Sequence, residues 1–347
     1  MKNTTFVVSL FLSCGLAIAQ ESKPAEAPKP AAAPAAPAAA PATAAAAPIG
    51  KPLDYFETTD LATVSTGHMW SEGPLWWNGK LLFCDLADNK ICTIAPGDAK
   101  AAVMKDNADK PAGAAIDGKG NLIIAHFSGG KSNGEKTTGG KVTKIAADGT
   151  MTTILDSIDD KPLGPCNDFA VRSDGTIYVT DFGGGKDNRN IIKITPDGKA
   201  SVVPSNFQQA NGLVLSSDET ILYVAEYRGQ AIKAFDVTAD GSLSNERVFV
   251  DFKNDGNGRC DGLKVDEQGN VYTTGPGGIW VVSPKGEKLA RLDVKSAANL
   301  AFGGEDRKTL YICAGSKVLS VKTKIAGAAR KATKPAEAKP ATTTDKK

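Results

Sequence analysis

This chain has almost no excess of either charge. Its 347 residues carry 41 Lys and Arg against 39 Asp and Glu, a net of +2. That balance leaves no basic footprint for nucleic acid, and aromatics at 6% supply no stacking platform for bases. Histidine occurs only twice. There is no Cys-x-x-Cys and no His/Cys cluster, which argues against a structural zinc site, and no motif of a Ser/His triad. No apolar run is long enough to cross a bilayer. Helical periodicity is scarce as well. Glycine, with 36 residues, is plentiful, and that combination favours many short strands joined by turns.

The ends of the chain stand apart in composition. Residues 1–19 read as a signal peptide: Lys2 supplies the positive start, Phe6 to Leu12 the short apolar core, and Ala17-Ile18-Ala19 a small-residue cleavage site. Cys14 raises a lipoprotein reading, against which stands Phe11, three residues earlier, in place of the usual Leu. Residues 20–52 are rich in Ala and Pro and read as a disordered, extended linker. Residues 325–347, rich in Lys, Ala and Pro, read as a disordered tail whose lysines offer a contact to an anionic envelope. The chain is expected to be exported, periplasmic or extracellular, and monomeric.

Between the ends, at 53–324, one short pattern recurs. It appears as Glu72-Gly73-Pro74-Leu75-Trp76, Ala112-Gly113-Ala114-Ala115-Ile116, Asn167-Asp168-Phe169-Ala170-Val171, Asn211-Gly212-Leu213-Val214-Leu215, Asp261-Gly262-Leu263-Lys264-Val265 and Ala298-Asn299-Leu300-Ala301-Phe302. The offsets are 40, 55, 44, 50 and 37 residues, the period of a four-stranded propeller blade. Each copy opens a strand, passes a turn such as Asn78-Gly79, Asp117-Gly118, Asp174-Gly175, Ser217-Asp218, Gln268-Gly269 or Gly303-Gly304, and enters a second strand such as Leu82-Phe83-Cys84. The sixth copy lacks a fourth strand, while a spare strand, Leu61 to Ser65, precedes the first. The expected fold is all-β: a six-bladed β-propeller with four antiparallel strands per blade, its ring closed by the N-terminal strand completing the last blade. Closure removes the unpaired edges that an open ring would expose.

In such a ring the first residues of the inner strands converge on one end of the channel. Four of those six are oxygen donors: Glu72, Asn167, Asn211 and Asp261. Two carboxylates and two amide oxygens suit a divalent cation, Ca²⁺ first, with Mg²⁺, Mn²⁺ or Zn²⁺ as alternatives. The rival reading is a hydrated polar network without metal, in which Glu72 and Asp261 would repel each other uncompensated. Second-strand ends return to the same face, bringing Asp85, His126, Asp181, Glu226, Gly275 and Ala314 to the rim, either lining the pocket or holding the ligands. His126 is read there as a substrate-binding candidate, against a surface or turn residue. Asp168 stands where most copies carry Gly, and either approaches the cation through water or bonds backbone amides in its loop. Arg259 is a candidate for binding a polar or anionic substrate group, against a solvated arginine. Five cysteines follow the leader (Cys84, Cys92, Cys166, Cys260 and Cys313). Their pairing is not readable from sequence, and five leave at least one unpaired in a monomer.

The ordered set Ser71-Glu72-Gly73-Pro74, Asn167-Asp168-Phe169, Ser173-Asp174-Gly175-Thr176-Ile177-Tyr178, Asn211-Gly212-Leu213, Asp261-Gly262-Leu263, Phe302-Gly303-Gly304 and Lys308-Thr309-Leu310-Tyr311-Ile312 resembles the gluconolactonase / senescence marker protein / luciferin-regenerating enzyme family. The resemblance spans the folded body and neither tail. It implies a propeller with a divalent metal, usually calcium, in the channel, and hydrolysis of a small-molecule lactone. It implies Glu72, Asn211 and Asp261 as metal ligands, Asn167 as a contact to metal or substrate, and Asp261 as the residue that moves the proton, a role also open to Asp168. Some sugar-lactonase relatives carry an arginine two residues before the Asn167 position; here it is Pro165. The stretch Ser128 to Gly140 lengthens the second copy at the expected pocket mouth. A non-enzymatic, envelope-associated binding propeller with a structural metal, and a phosphotriesterase-like hydrolase, are the alternatives.

Overall fold

The computed structural model describes residues 50–331 apart from 129–130, 133–134, 137–138, 147 and 184–189, with backbone alone at 131–132 and 135–136. The leader, nearly all of the linker, much of the Ser128–Gly140 stretch and the chain after Lys331 lie outside the described residues. Among the described residues there is no α-helix; one 3₁₀ turn spans Pro52–Asp54.

Six four-stranded antiparallel sheets form the blades. Their inner strands are Ser71–Trp77, Pro111–Ile116, Cys166–Val171, Ala210–Leu215, Leu263–Val265 and Ala297–Gly303. The last blade takes its outer strand from the other end of the fold: Ala62–Thr66 pairs with Lys317–Lys322. The expected closure is therefore the observed one.

Second strands read as unbroken apolar runs because both faces of every blade are covered. In Leu81-Leu82-Phe83-Cys84 alternate residues point to opposite sides. Leu81 and Phe83 pack with Tyr311, Cys313 and Val318 of the sixth blade, whereas Leu82 and Cys84 pack with Ala114, Leu122 and Ile124 of the second. Six such clusters occupy the six junctions between blades. All five described cysteines are buried within these packs, where each fills space as a small side chain.

The turns follow the expected chemistry with two shifts. Asn78 and Gly79 both take positive φ, 51° and 73°, in the two-residue hairpin that pairs Trp77 with Lys80. In the second blade the positive φ falls on Gly120 rather than Gly118, and in the fourth on Glu219.

The recurring motif sits on an irregularity. Pairing between inner and second strand shifts register at Glu72/Leu75, Pro111/Ala114, Cys166/Phe169, Ala210/Leu213 and Ala297/Asn299. In the fifth blade regular pairing begins only at Leu263, after Asp261 and Gly262. Such bulges re-aim side chains. Here they fall at the upper end of the channel, where the inner strands begin.

The packed chain does not stop at Lys324, the boundary expected from composition. Ala326 and Gly327 are buried. Glu267 N–H donates to Ala326 O, Gly327 N–H to Arg307 O and Ala328 N–H to Val265 O. Arg330 then reaches the carbonyl of Asp117 in the second blade, and Lys331 that of Asp218 in the fourth. A cavity of about 420 Å³ runs down the channel from Asp168 to this segment, which crosses its lower end.

Candidate functional site

Register brings the inner-strand oxygens to one level. Glu72, Asn167 and Asn211 are buried and Asp261 is half-buried. Glu72 Oε2 accepts from the N–H of Gly73 at 3.1 Å and from Asn299 Nδ2 at 3.3 Å. The same Asn299 amide donates to Asp168 Oδ2 at 3.2 Å. Asn299, absent from the sequence-based candidates, thus bridges two carboxylates at the axis. Its signal was available: it breaks the Gly column in the sixth copy as Asp168 does in the third.

Asp168 is held from every side. Its N–H donates to Thr180 Oγ1, its Oδ1 accepts from Phe169 N–H at 2.8 Å, and its Oδ2 is taken by Asn299. Asp261 is held less completely. Its N–H donates to Thr274 Oγ1 at 2.8 Å and the Asn211 amide hydrogen-bonds its carboxylate. Asp261 Oδ1 and Asn211 Oδ1 are both buried without a hydrogen-bond partner among the described residues.

The electrostatics follow from that crowding. Burial, with Asp168 nearby, pushes the Glu72 carboxyl up to about 7, against opposing hydrogen bonds from Gly73, Asn299 and the Trp70 indole. Burial, then the charges of Glu72 and Asp168, hold Asp261 well above the usual carboxylate range. Two carboxyls held above their usual range, with Asp168 close to both and two orphaned oxygens beside them, form a site whose chemistry fits a hard divalent cation. Among the described residues no group of three or more His, Cys, Asp or Glu side chains is arranged as a metal centre; the fit depends on amide oxygens.

Three residues of the second ring serve the loops. Asp85 accepts from the N–H groups of Met69 and Trp70, Asp181 from Gly164, and Glu226 from Gln208 and Gln209. Each carboxylate holds the segment that enters its own blade's inner strand. His126 belongs with them and not with the pocket lining. It is fully buried, with Nδ1 on Asp109 O at 2.9 Å and Nε2 on Thr143 Oγ1 at 2.7 Å, leaving no ring nitrogen for a substrate. Arg259 is exposed at the rim, its guanidinium 5.8 Å from the Tyr227 ring centre.

Comparison with known proteins bears on the family and the fold. The family model described as SMP-30/Gluconolactonase/LRE-like region matches residues 70–316. The chain is 28% identical over 305 residues to a gluconolactonase of Zymomonas mobilis, covering 78% of this chain and 83% of that one. It is 28% identical over 223 residues to lactonase drp35 of Staphylococcus saprophyticus, covering 62% and 66%. Among solved structures, a gluconolactonase from Xanthomonas campestris superposes with a TM-score of 0.66 at 25% identity, over 76% of this chain and 89% of that one.

Proposed function

The chain belongs to the SMP-30/Gluconolactonase/LRE-like family, and from that premise we propose that it is a lactone hydrolase whose oxygens from Glu72, Asn167, Asn211 and Asp261 hold a divalent cation, calcium first. The observation that carries the reading is the pair of partnerless oxygens, Asn211 Oδ1 and Asp261 Oδ1, beside the Glu72 carboxylate. When bound, such a cation supplies Lewis acidity toward the lactone carbonyl and charge to offset the developing oxyanion.

The residues of the chain divide the remaining work. Asp261 is the better proton carrier of the two candidates, because both oxygens of Asp168 are already engaged. Burial, then the charges of Glu72 and Asp168, raise its affinity for a proton, which makes it the stronger base. It takes a proton from the water that adds to the carbonyl carbon. It returns that proton to the ring oxygen as the C–O bond breaks, leaving a hydroxy acid. Asp168, fixed by Phe169 and Asn299, contributes negative charge and keeps Asn299 oriented toward Glu72. Residues 1–19, with the features of a signal peptide, support action outside the cytoplasm.

The test is a lactone panel assayed with chelator and with calcium restored. Activity should vanish and return, and Asp261→Ala should lose both turnover and calcium retention. Full turnover in that variant removes the assignment. Inactivity on every lactone, with a melting temperature unmoved by chelator, removes the enzyme.

A further inference from the structure

One backbone bond repeats around the upper face. In blades one to four the residue after the second strand donates its N–H to the carbonyl two residues before the inner-strand motif position: Leu86 to Trp70, Phe127 to Lys110, Phe182 to Pro165 and Tyr227 to Gln209. That bond sets two concentric rows of side chains around the mouth of the site. The first row is largely aromatic. Phe127 and Phe182 lie 5.1 Å apart between ring centres, Phe182 and Tyr227 5.3 Å. They form one continuous arc across the second, third and fourth blades, and all three are only half-buried.

The arc ends at the chemistry. The Tyr227 phenol feels the charges of Asp261 and Glu72, which add to burial in raising its pKa. Arg259 lies over its ring. From the first blade, Trp70 is 41% exposed while its indole stabilises the Glu72 carboxylate. Among the described residues the arc offers little polar capacity beyond the Tyr227 hydroxyl and the Arg259 guanidinium. Pro165 has no donor. The amide of Gln209 is spent between Phe182 O at 3.1 Å and Arg228 Nε at 2.9 Å. A substrate covered with hydroxyls would press several of them against rings that return no hydrogen bond, which is costly. A planar apolar ring would stack there instead.

We propose that this mouth selects lactones fused to, or bearing, an aromatic ring over polyhydroxylated sugar lactones, with Phe127, Phe182, Tyr227 and Trp70 as the specificity-determining residues. The inference rests on the lactone-hydrolase reading and narrows its substrate class.

The test compares kcat/KM for dihydrocoumarin and for glucono-1,5-lactone, using full-length protein with calcium. The expected preference is for dihydrocoumarin, by tenfold or more. Phe182→Ala should shrink that ratio by about tenfold, mainly through a higher KM for the aromatic substrate, as expected for loss of one stacking partner. Phe182→Leu, which keeps apolar volume, guards against misfolding and should shrink it less. Equal or sugar-favouring turnover, or a ratio unmoved in both variants, overturns this inference and leaves the lactonase reading standing. Failure to hydrolyse either substrate overturns both.

Discussion

Replacing Asn299 with Leu is the most demanding perturbation of the site, because Asn299 ligates nothing in the proposed arrangement. Leu keeps the side-chain volume and deletes the amide. Three hydrogen bonds go with it: those from Nδ2 to Glu72 and Asp168, and the one by which Oδ1 accepts from Leu300 N–H at 2.8 Å. Bonds to charged acceptors are worth about 1.5–3 kcal/mol each, and a stranded buried N–H costs a further ~1–3 kcal/mol. The lengths of 3.2 and 3.3 Å argue for the lower end of the first range. Protonation of Glu72, already disposed to it, returns part of the loss, so a net destabilisation of about 2–4 kcal/mol is expected. Calcium affinity should fall further than stability alone requires. A residue that orients a ligand typically controls about 10–100-fold in metal affinity, or about 1.4–2.8 kcal/mol. Calorimetric titration of calcium into the folded variant at pH 7.5 reads this directly. An Asn299→Leu protein that folds and binds calcium as the parent does would show that Glu72 and Asp168 need no bridge.

Calcium at a hundredfold excess over its Kd should stabilise the protein by about 2.7 kcal/mol, a rise of roughly 5 °C in melting temperature for a body of this size; a chelator should reverse it, and an unmoved melting curve would remove the cation. Deleting residues 325–347 should lower the melting temperature by several degrees, since the chain loses buried Ala326 and three backbone bonds of about 1 kcal/mol each, while calcium affinity stays put; a melting temperature unchanged by the deletion would make residues 325–331 a passive tail after all. Burial lowers the pKa of His126, so the unfolded chain takes the proton first. The stability this contributes is complete above the unfolded value of about 6.5 and is lost as pH falls through the folded value. His126→Gln should therefore flatten the decline in urea midpoint between pH 7 and pH 5, and parallel declines in the two proteins would show that His126 does not drive it.

The fold was legible because repetition multiplies weak signals. No single copy of the motif identifies a propeller; six copies at blade spacing do, and the missing and surplus strands at the two ends locate the closure. That Glu72, Asn211 and Asp261 come near one another was legible for the same reason, since equivalent positions in a ring must converge. What was hidden depends on direction rather than position. Register placed His126 at the upper end of its strand, but only the fold shows that Asp109 and Thr143 enclose its ring. Composition made the stretch after Lys324 look like a spacer. In place, those small residues are what lets the chain pass: Gly327 lies against the Phe302 ring with no room for a Cβ, and Ala326 is buried beside it.

The second position of the motif explains how a sixfold scaffold makes an asymmetric site. Around the ring it reads Gly73, Gly113, Asp168, Gly212, Gly262 and Asn299. The glycines are steric: a Cβ on Gly73 would strike the Ala112 carbonyl, one on Gly212 the Asp261 carbonyl, and one on Gly262 the Asn299 side chain. Neighbouring inner strands therefore approach too closely at this level for side chains on adjacent blades. Blades three and six are opposite each other in a six-membered ring, so Asp168 and Asn299 extend into the one space that remains, the axis itself, where they meet at 3.2 Å. The cross-channel bridge then fixes Glu72 on one side and leaves Asn211 and Asp261 with open oxygens on the other. A fully glycine-bearing ring would have left the axis to water; a ring of larger residues would not close. The substitution pattern that breaks the repeat is thus the same feature that floors the site and gives it an open side.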